Sequence, residues 1–239
     1  MIMKKINKRA TSNLEIILSF IIFIGFLFFL FLLFPITSTE KSKVGLDAAE
    51  QGIINFSSSE LTYFTVSFNE TEINKNNRGC FKFNPEIDIT NITVLDENDI
   101  RVNATWKNKK IIVNGTKGFY QFYSSPEFTE AEFEYSGCDE ITEKDFKIGL
   151  IRKYEVLSYN KIKNLNDSYS SSYNNLKINF NIPKRENFGF ILRWVDGKEI
   201  FSAMKNKPER GEILARDTPV QMIYSNGTSR YGILHIETW

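Results

Sequence analysis

The first strong feature of the hydrophobic pattern is an apolar segment near the start of the chain. Residues 16–34 carry no charged side chain over 19 positions. A helix of that length measures about 28 Å, close to the thickness of the hydrocarbon core of a bilayer. It is also longer than the apolar region of about 7–15 residues in a cleaved signal peptide. The pattern therefore predicts a retained membrane-spanning helix over 11–34, which Pro35 kinks or ends.

Beyond this segment the apolar positions keep a weak helical spacing for a short distance. Val44, Leu46, Ala49 and Ile53 carry it. This spacing predicts a second helical stretch to about Gly52, which would act as a stalk between the membrane helix and an external domain.

From residue 61 onward the apolar period changes from helical spacing to alternation. Segments such as LTYFTVSF, KKIIVNG and GFYQFY alternate apolar and polar residues, and Gly, Asn or Pro separate them. This is the pattern of half-buried β-strands. Asp196-Gly197 and Asn226-Gly227 are strong two-residue hairpin signals, and strand patterns also flank Lys107-Asn108. The second half of the chain is therefore expected to end in hairpins.

One polar segment, 158–182, interrupts the strand patterns. Its apolar residues follow a spacing of three to four, so two short helices are expected, with Ser158 as the N-cap of the first. The predicted fold class is α+β: an N-terminal transmembrane and stalk helix, then a β-rich extracellular domain with one short helical insertion. The expected divisions are a basic leader (1–10), the membrane helix and stalk (11–52), a first β-rich half (53–140) and a second half (141–239).

The charge distribution sets the expected orientation. The chain has 30 basic and 29 acidic residues, a formal net charge of +1. Four basic residues, Lys4, Lys5, Lys8 and Arg9, precede the apolar segment without an acid, and removing them leaves −3 for the rest. The positive-inside rule places this leader in the cytoplasm and everything after Pro35 outside the cell. Membrane lipid is thus an expected partner, and nothing in the charge balance indicates nucleic acid.

The two cysteines, Cys80 and Cys138, fit an external location. A single disulfide would close a loop of about 58 residues and contribute about 4 kcal/mol by the chain-entropy argument. The alternative is two independent buried thiols. With these cysteines and one histidine, His235, no metal cluster of usual spacing is expected, and no cofactor is predicted.

Seven Asn-x-Ser/Thr sequons suggest an external glycoprotein. The candidate asparagines are Asn55, Asn69, Asn91, Asn103, Asn114, Asn166 and Asn226. The Asn-Gly sequences at 114 and 226 also fit hairpin turns, so turn chemistry is the alternative reading for those two.

The chain offers little catalytic chemistry, and it is not expected to be an enzyme. His235 lies in a strand-like alternation, where a structural histidine is the expected role. The sequence has no Gly-rich phosphate loop and no regularly spaced calcium loop. Most of its 21 Phe and 10 Tyr fit core and cross-strand positions. An exposed aromatic platform for sugar or protein is conceivable, but the pattern does not locate one.

The segment KRATSNLE, residues 8–15, resembles the class III signal of archaeal type IV pilin-like proteins. By that resemblance, Lys8 and Arg9 are the recognition charges and Ala10 is the last leader residue. Prepilin peptidase would then cut before Thr11, which makes Glu15 the fifth residue of the mature chain.

The resemblance implies a structural subunit, major or minor, of an extracellular surface filament used for adhesion. Its partners would be neighbouring subunits, the prepilin peptidase and the filament-assembly machinery. The new amine of Thr11 would pair with Glu15 of a neighbour and set the register of the apolar helices. The alternative is an uncleaved, single-pass anchored binding protein, in which Glu15 reaches the lipid headgroups.

Overall fold

The chain divides into two compact units, Met1–Val44 and Gly45–Trp239. The structure, a computed structural model, describes residues 8–33, 38–68, 79–115, 118–129, 137–205, 207 and 212–239. The helices are α1 (Lys8–Leu33), α2 (Ser38–Ser57) and α3 (Tyr159–Asn179). The strands are β1 (Ser58–Phe68), β2 (Cys80–Phe83), β3 (Ile92–Asp96), β4 (Arg101–Val102), β5 (Ala104–Lys107), β6 (Lys110–Asn114), β7 (Phe119–Ser124), β8 (Asp139–Glu140), β9 (Phe146–Ser158), β10 (Phe188–Trp194), β11 (Glu199–Ala203), β12 (Leu214–Ile223) and β13 (Ser229–Thr238).

The prediction of an N-terminal transmembrane and stalk helix is wrong for the part of the chain that the structure describes. Within the described residues, no helix combines the length and the apolarity needed to cross a membrane. The single-pass anchor, its cytoplasmic N-terminus and the transmembrane part of the predicted fold class are therefore not supported.

Most strands belong to one nine-stranded sheet in the order β11-β10-β13-β12-β9-β1-β7-β3-β4. Its neighbours are antiparallel except β12 and β9, which pair in parallel through Met222↔Leu157 and Ile223↔Ser158. The other sheet has the order β5-β6-β2-β8. Strands from both predicted halves of the β-rich region therefore form a continuous sheet.

Two main hydrophobic cores hold Gly45–Trp239 together. In the first, α2 and α3 pack on the β10–β13 part of the large sheet, through fully buried residues such as Ile53, Leu165 and Phe190. In the second, the β1–β7–β3 part packs against the small sheet. Phe64 and Phe83 bury their rings there from opposite sheets. The fold thus has helix-on-sheet packing at one end and sheet-on-sheet packing at the other.

Helix α2 extends to Ser57, beyond the predicted end at about Gly52. A β-carbon at Gly52 would overlap the Phe180 ring. The glycine therefore allows close packing of α2 on Phe180 and does not terminate the helix.

Helix α3 and the hairpins largely follow the sequence pattern. Ser158 caps α3 by accepting a hydrogen bond from the Lys161 N–H at 3.3 Å. Ser172 leaves helical geometry (φ −139°, ψ 35°), so α3 is two short helices joined by a kink, as predicted. Turns form at Asp196-Gly197 and Asn226-Gly227 as predicted, but each loop has three residues and not the expected two, since the closing hydrogen bonds join the Trp194 N–H to the Lys198 carbonyl and the Tyr224 N–H to the Thr228 carbonyl. The β5–β6 turn lies at Asn108-Lys109, one residue beyond its predicted position.

Candidate functional site

The most unusual surface of Met1–Val44 is the apolar part of α1. The described side chains from Ile16 to Leu30 include no buried residue. Ile16 is 65% exposed and Phe28 is 68% exposed. Successive helical residues are about 100° apart, so consecutive apolar residues such as Ile21, Ile22 and Phe23 cover every side of the helix. Such a helix requires apolar neighbours around its whole circumference.

The five predicted processing and assembly residues lie at the start of this helix. The α1 backbone is helical from Lys8, so Ala10, Thr11 and Glu15 fall within its first turns. Thr11 and Glu15 are four residues apart, about one helical turn. The side chains of Lys8, Arg9, Ala10, Thr11 and Glu15 lie outside the described residues. Their predicted roles therefore remain predictions.

The predicted disulfide is confirmed. Cys80 and Cys138 are bonded, with their Cα atoms 5.0 Å apart. Cys80 is the first residue of β2, and Cys138 directly precedes β8, which pairs in parallel with β2 through Phe81↔Asp139. The bond therefore ties together two neighbouring strands that are 58 residues apart in sequence.

The sequons differ in how their asparagines are used. Asn91 donates its side-chain amide to the Phe128 carbonyl at 2.5 Å, so a glycan there would be attached to a nitrogen that already bonds within the fold. Asn226 occupies the β12–β13 turn, where its Oδ1 accepts hydrogen bonds from the N–H and hydroxyl of Thr228 at 3.0 and 2.8 Å. Asn55, Asn103, Asn114 and Asn226 are exposed, Asn166 is half-buried, and Asn69 lies outside the described residues.

His235 joins a charged network on β12 and β13 that the sequence reading did not anticipate. Its Nδ1 lies 2.6 Å from Asp217 and its Nε2 lies 3.0 Å from Glu237. Arg193 binds Asp217 at 3.2 Å, and Lys207 binds Glu237 at 2.6 Å. The i, i+2 spacing of His235 and Glu237 was a signal for one shared face. Asp217 enters only through strand pairing.

This network gives a prediction for acid stability. The hydrogen bond from His235 lowers the pKa of Asp217. Burial raises the pKa of Glu237, but hydrogen bonds from Lys207 and His235 outweigh it, and the net shift is downward. Carboxyl groups with a lowered folded-state pKa stabilise the fold above their unfolded pKa of about 4, and this contribution is lost as the pH falls further.

We therefore expect the free energy of unfolding to decline below about pH 4. The Asp217→Asn/Glu237→Gln double variant should show a shallower decline in urea titrations over a pH series. Glu143→Gln, at an exposed turn, is the control and should follow the wild-type curve. Equal slopes in the double variant and the wild type would contradict the assignment.

Within the described ranges, no group of three or more His, Cys, Asp or Glu side chains is arranged to hold a metal ion. Comparison with known protein families, with curated proteins and with solved structures finds no match to this chain. Its function is therefore inferred from its own residues, chiefly the apolar surface of α1 and the positions that precede it.

Proposed function

We propose that the chain is a structural subunit of a surface filament, assembled through the apolar surface of α1 after cleavage between Ala10 and Thr11. The proposal rests on one observation: every described side chain from Ile16 to Leu30 is at least partly exposed. An exposed apolar surface of this extent favours association. Copies of the same helix would supply neighbours on every side.

The resemblance of residues 8–15 to a class III signal supports the same proposal. Cleavage before Thr11 creates an amine at the start of the apolar segment, and Glu15 follows one turn later. In a helical array, the amine of one subunit would pair with Glu15 of the next. An unpaired buried charge costs about 3–5 kcal/mol, so this pair would favour a single register.

The Cys80–Cys138 disulfide is also consistent with a filament subunit. Disulfides persist mainly in oxidising environments outside the cytosol, where a surface filament functions. The proposed partners are neighbouring copies of this chain, a prepilin peptidase and the assembly machinery.

The first test is mass spectrometry of the N-terminal peptide of protein isolated from its native host. We expect the mature chain to begin at Thr11. A chain that begins at Met1, or that has lost only Met1, would contradict processing at Ala10 and with it the proposed route to the filament.

The second test separates assembly from folding. Glu15→Ala should leave the domain folded but abolish filaments in electron micrographs, because the amine of Thr11 loses its partner. Glu143→Ala is the matched control, since Glu143 lies in an exposed turn outside α1, and it should assemble normally. Normal filaments from Glu15→Ala would rule out the pairing.

A further inference from the structure

A cleft lies between the tip of the β12–β13 hairpin and the face of the large sheet formed by β1, β7 and β3. Its volume is about 340 Å³, within the range of small-molecule sites. Leu61, Phe128 and Ile223 form its apolar floor, and Thr93, Asp99 and Arg101 contribute polar atoms.

Hydrogen bonds hold the tip of the β12–β13 hairpin against the large sheet, so the cleft is preformed. The Arg101 guanidinium donates to the Asn226 carbonyl, and the Thr129 N–H donates to the Ser225 carbonyl at 2.8 Å. Gly227 has a φ of +83°, and a β-carbon there would overlap Thr93. Glycine therefore permits the close approach of the tip to β3.

One tyrosine, Tyr123, lines the cleft, and further tyrosines lie beside it. The ring centroid of Tyr123 lies 5.0 Å from that of Tyr63 on the neighbouring strand. Tyr154 and Tyr231 lie near enough to Tyr123 to influence its ionisation. Burial, followed by these neighbouring phenols, raises the pKa of Tyr123 to about 12, and its hydroxyl donates to the Gln121 side-chain oxygen at 3.5 Å. Tyr231 is 67% exposed, so the aromatic surface reaches solvent.

Planar polar groups stand beside these rings in fixed positions. Gln121 donates its side-chain amide to Asp99 at 2.8 Å and accepts from the Tyr63 hydroxyl at 3.4 Å. Asp99 has a φ of +58°, a left-handed conformation that aspartate adopts more readily than most residues and that neighbouring hydrogen bonds stabilise here. The Asp96 carboxylate does so by accepting the backbone N–H groups of Asn98 and Ile100 at 2.8 and 3.0 Å.

We propose that this cleft binds a neutral saccharide of one or two rings. Tyrosine presents a flat apolar face, suited to the C–H face of a sugar ring, together with a hydroxyl that hydrogen-bonds. The Asp99 carboxylate and the Arg101 guanidinium line the cleft and offer paired acceptors and paired donors, the geometry that neighbouring sugar hydroxyls require. The charges of Asp99 and Arg101 balance, which favours an uncharged ligand over an ionic one.

The test uses the full chain in a polyoxyethylene detergent, because a maltoside detergent would itself present sugar. The probes are the methyl glycosides of glucose, galactose, mannose and N-acetylglucosamine, and the disaccharides maltose, cellobiose and chitobiose. Binding of each probe is measured by saturation-transfer NMR. We expect at least one probe to bind saturably, with a dissociation constant of about 1–10 mM for so small a ligand. A proline decapeptide is the competing probe, since aromatic grooves also bind such peptides.

Two variants place the binding in the cleft. Arg101→Ala removes a donor from the cleft together with the hydrogen bond to the Asn226 carbonyl, and Tyr231→Ala removes an exposed ring beside the cleft whose loss leaves the core intact. Each should weaken saccharide binding about tenfold, with the thermal unfolding midpoint recorded to show that the variant is folded. Arg185→Ala, an exposed arginine in the turn before β10, is the control and should bind as the wild type does.

Three outcomes would overturn the proposal. One is the absence of saturable binding by every saccharide. Another is saccharide binding that neither Arg101→Ala nor Tyr231→Ala weakens. The third is binding of the proline decapeptide in place of the saccharides, which would make the cleft a peptide groove.

Discussion

Replacing Phe64 by alanine is expected to lower the free energy of unfolding by about 3–5 kcal/mol. Phe64 is fully buried between the two sheets, and its ring stacks on Phe122 at 4.9 Å with an interplanar angle of 7°. Both rings belong to a cluster of phenylalanines that includes Phe81 and Phe83 from the small sheet. Truncation removes buried apolar surface and leaves a cavity that the paired strands cannot close. Urea denaturation would measure the loss.

Phe119→Ala is the matched control for this prediction. Phe119 begins β7 on the same sheet, but 38% of it is exposed. Its truncation should cost less than about 1.5 kcal/mol because only part of the ring leaves water on folding. Similar losses for Phe64→Ala and Phe119→Ala would show that the packing between the sheets contributes less than its burial indicates.

Removing the disulfide is expected to have the second large effect. The double variant Cys80→Ala/Cys138→Ala should lose about 4 kcal/mol, because the unfolded chain regains the freedom of a 58-residue loop. Alanine is preferred to serine because Cys80 is buried and a serine hydroxyl would need a partner there. Chemical denaturation of the oxidised wild type and the double variant measures the difference.

The reduced wild-type chain provides the control, since it loses the bond without any change of residue. Its stability should fall to nearly that of the double variant. If the double variant were as stable as the oxidised wild type, the pairing of β2 with β8 would already hold residues 80 and 138 together without the disulfide.

Features that depend on neighbouring residues were predictable from the sequence. The hairpins at Asp196-Gly197 and Asn226-Gly227 formed where expected, because the glycine that ends each loop reaches a positive φ, although each loop has three residues and not two. Ser158 caps α3 as expected, because the cap contact spans only three residues. For Cys80 and Cys138 the sequence left two alternatives, a disulfide or two separate thiols. The pairing of β2 with β8 brings the two cysteines together, and they are bonded.

Predictions that depended on distant packing or on a single strong pattern were less successful. Gly52 suggested a helix end, but its role is to admit Phe180, which lies 128 positions away in the sequence. The apolar segment suggested a membrane-spanning stalk, and the described helices do not meet that requirement. The processing site is proposed from the order of residues 8–15 in the sequence alone, and mass spectrometry of the N-terminal peptide is its test.

By itself the sequence determined the positions of the turns, the cap and the alternation of the strands, because each depends on residues within a few positions of one another. Only the tertiary structure decided which distant strands are neighbours. The parallel pairing of β12 with β9 joins two separately patterned regions, and the tip of the β12–β13 hairpin lies over β3. That arrangement brings Asn226 to Arg101 across 125 residues and so forms the cleft that Tyr123 lines. No local pattern encodes it, because its residues meet only after the sheet has assembled.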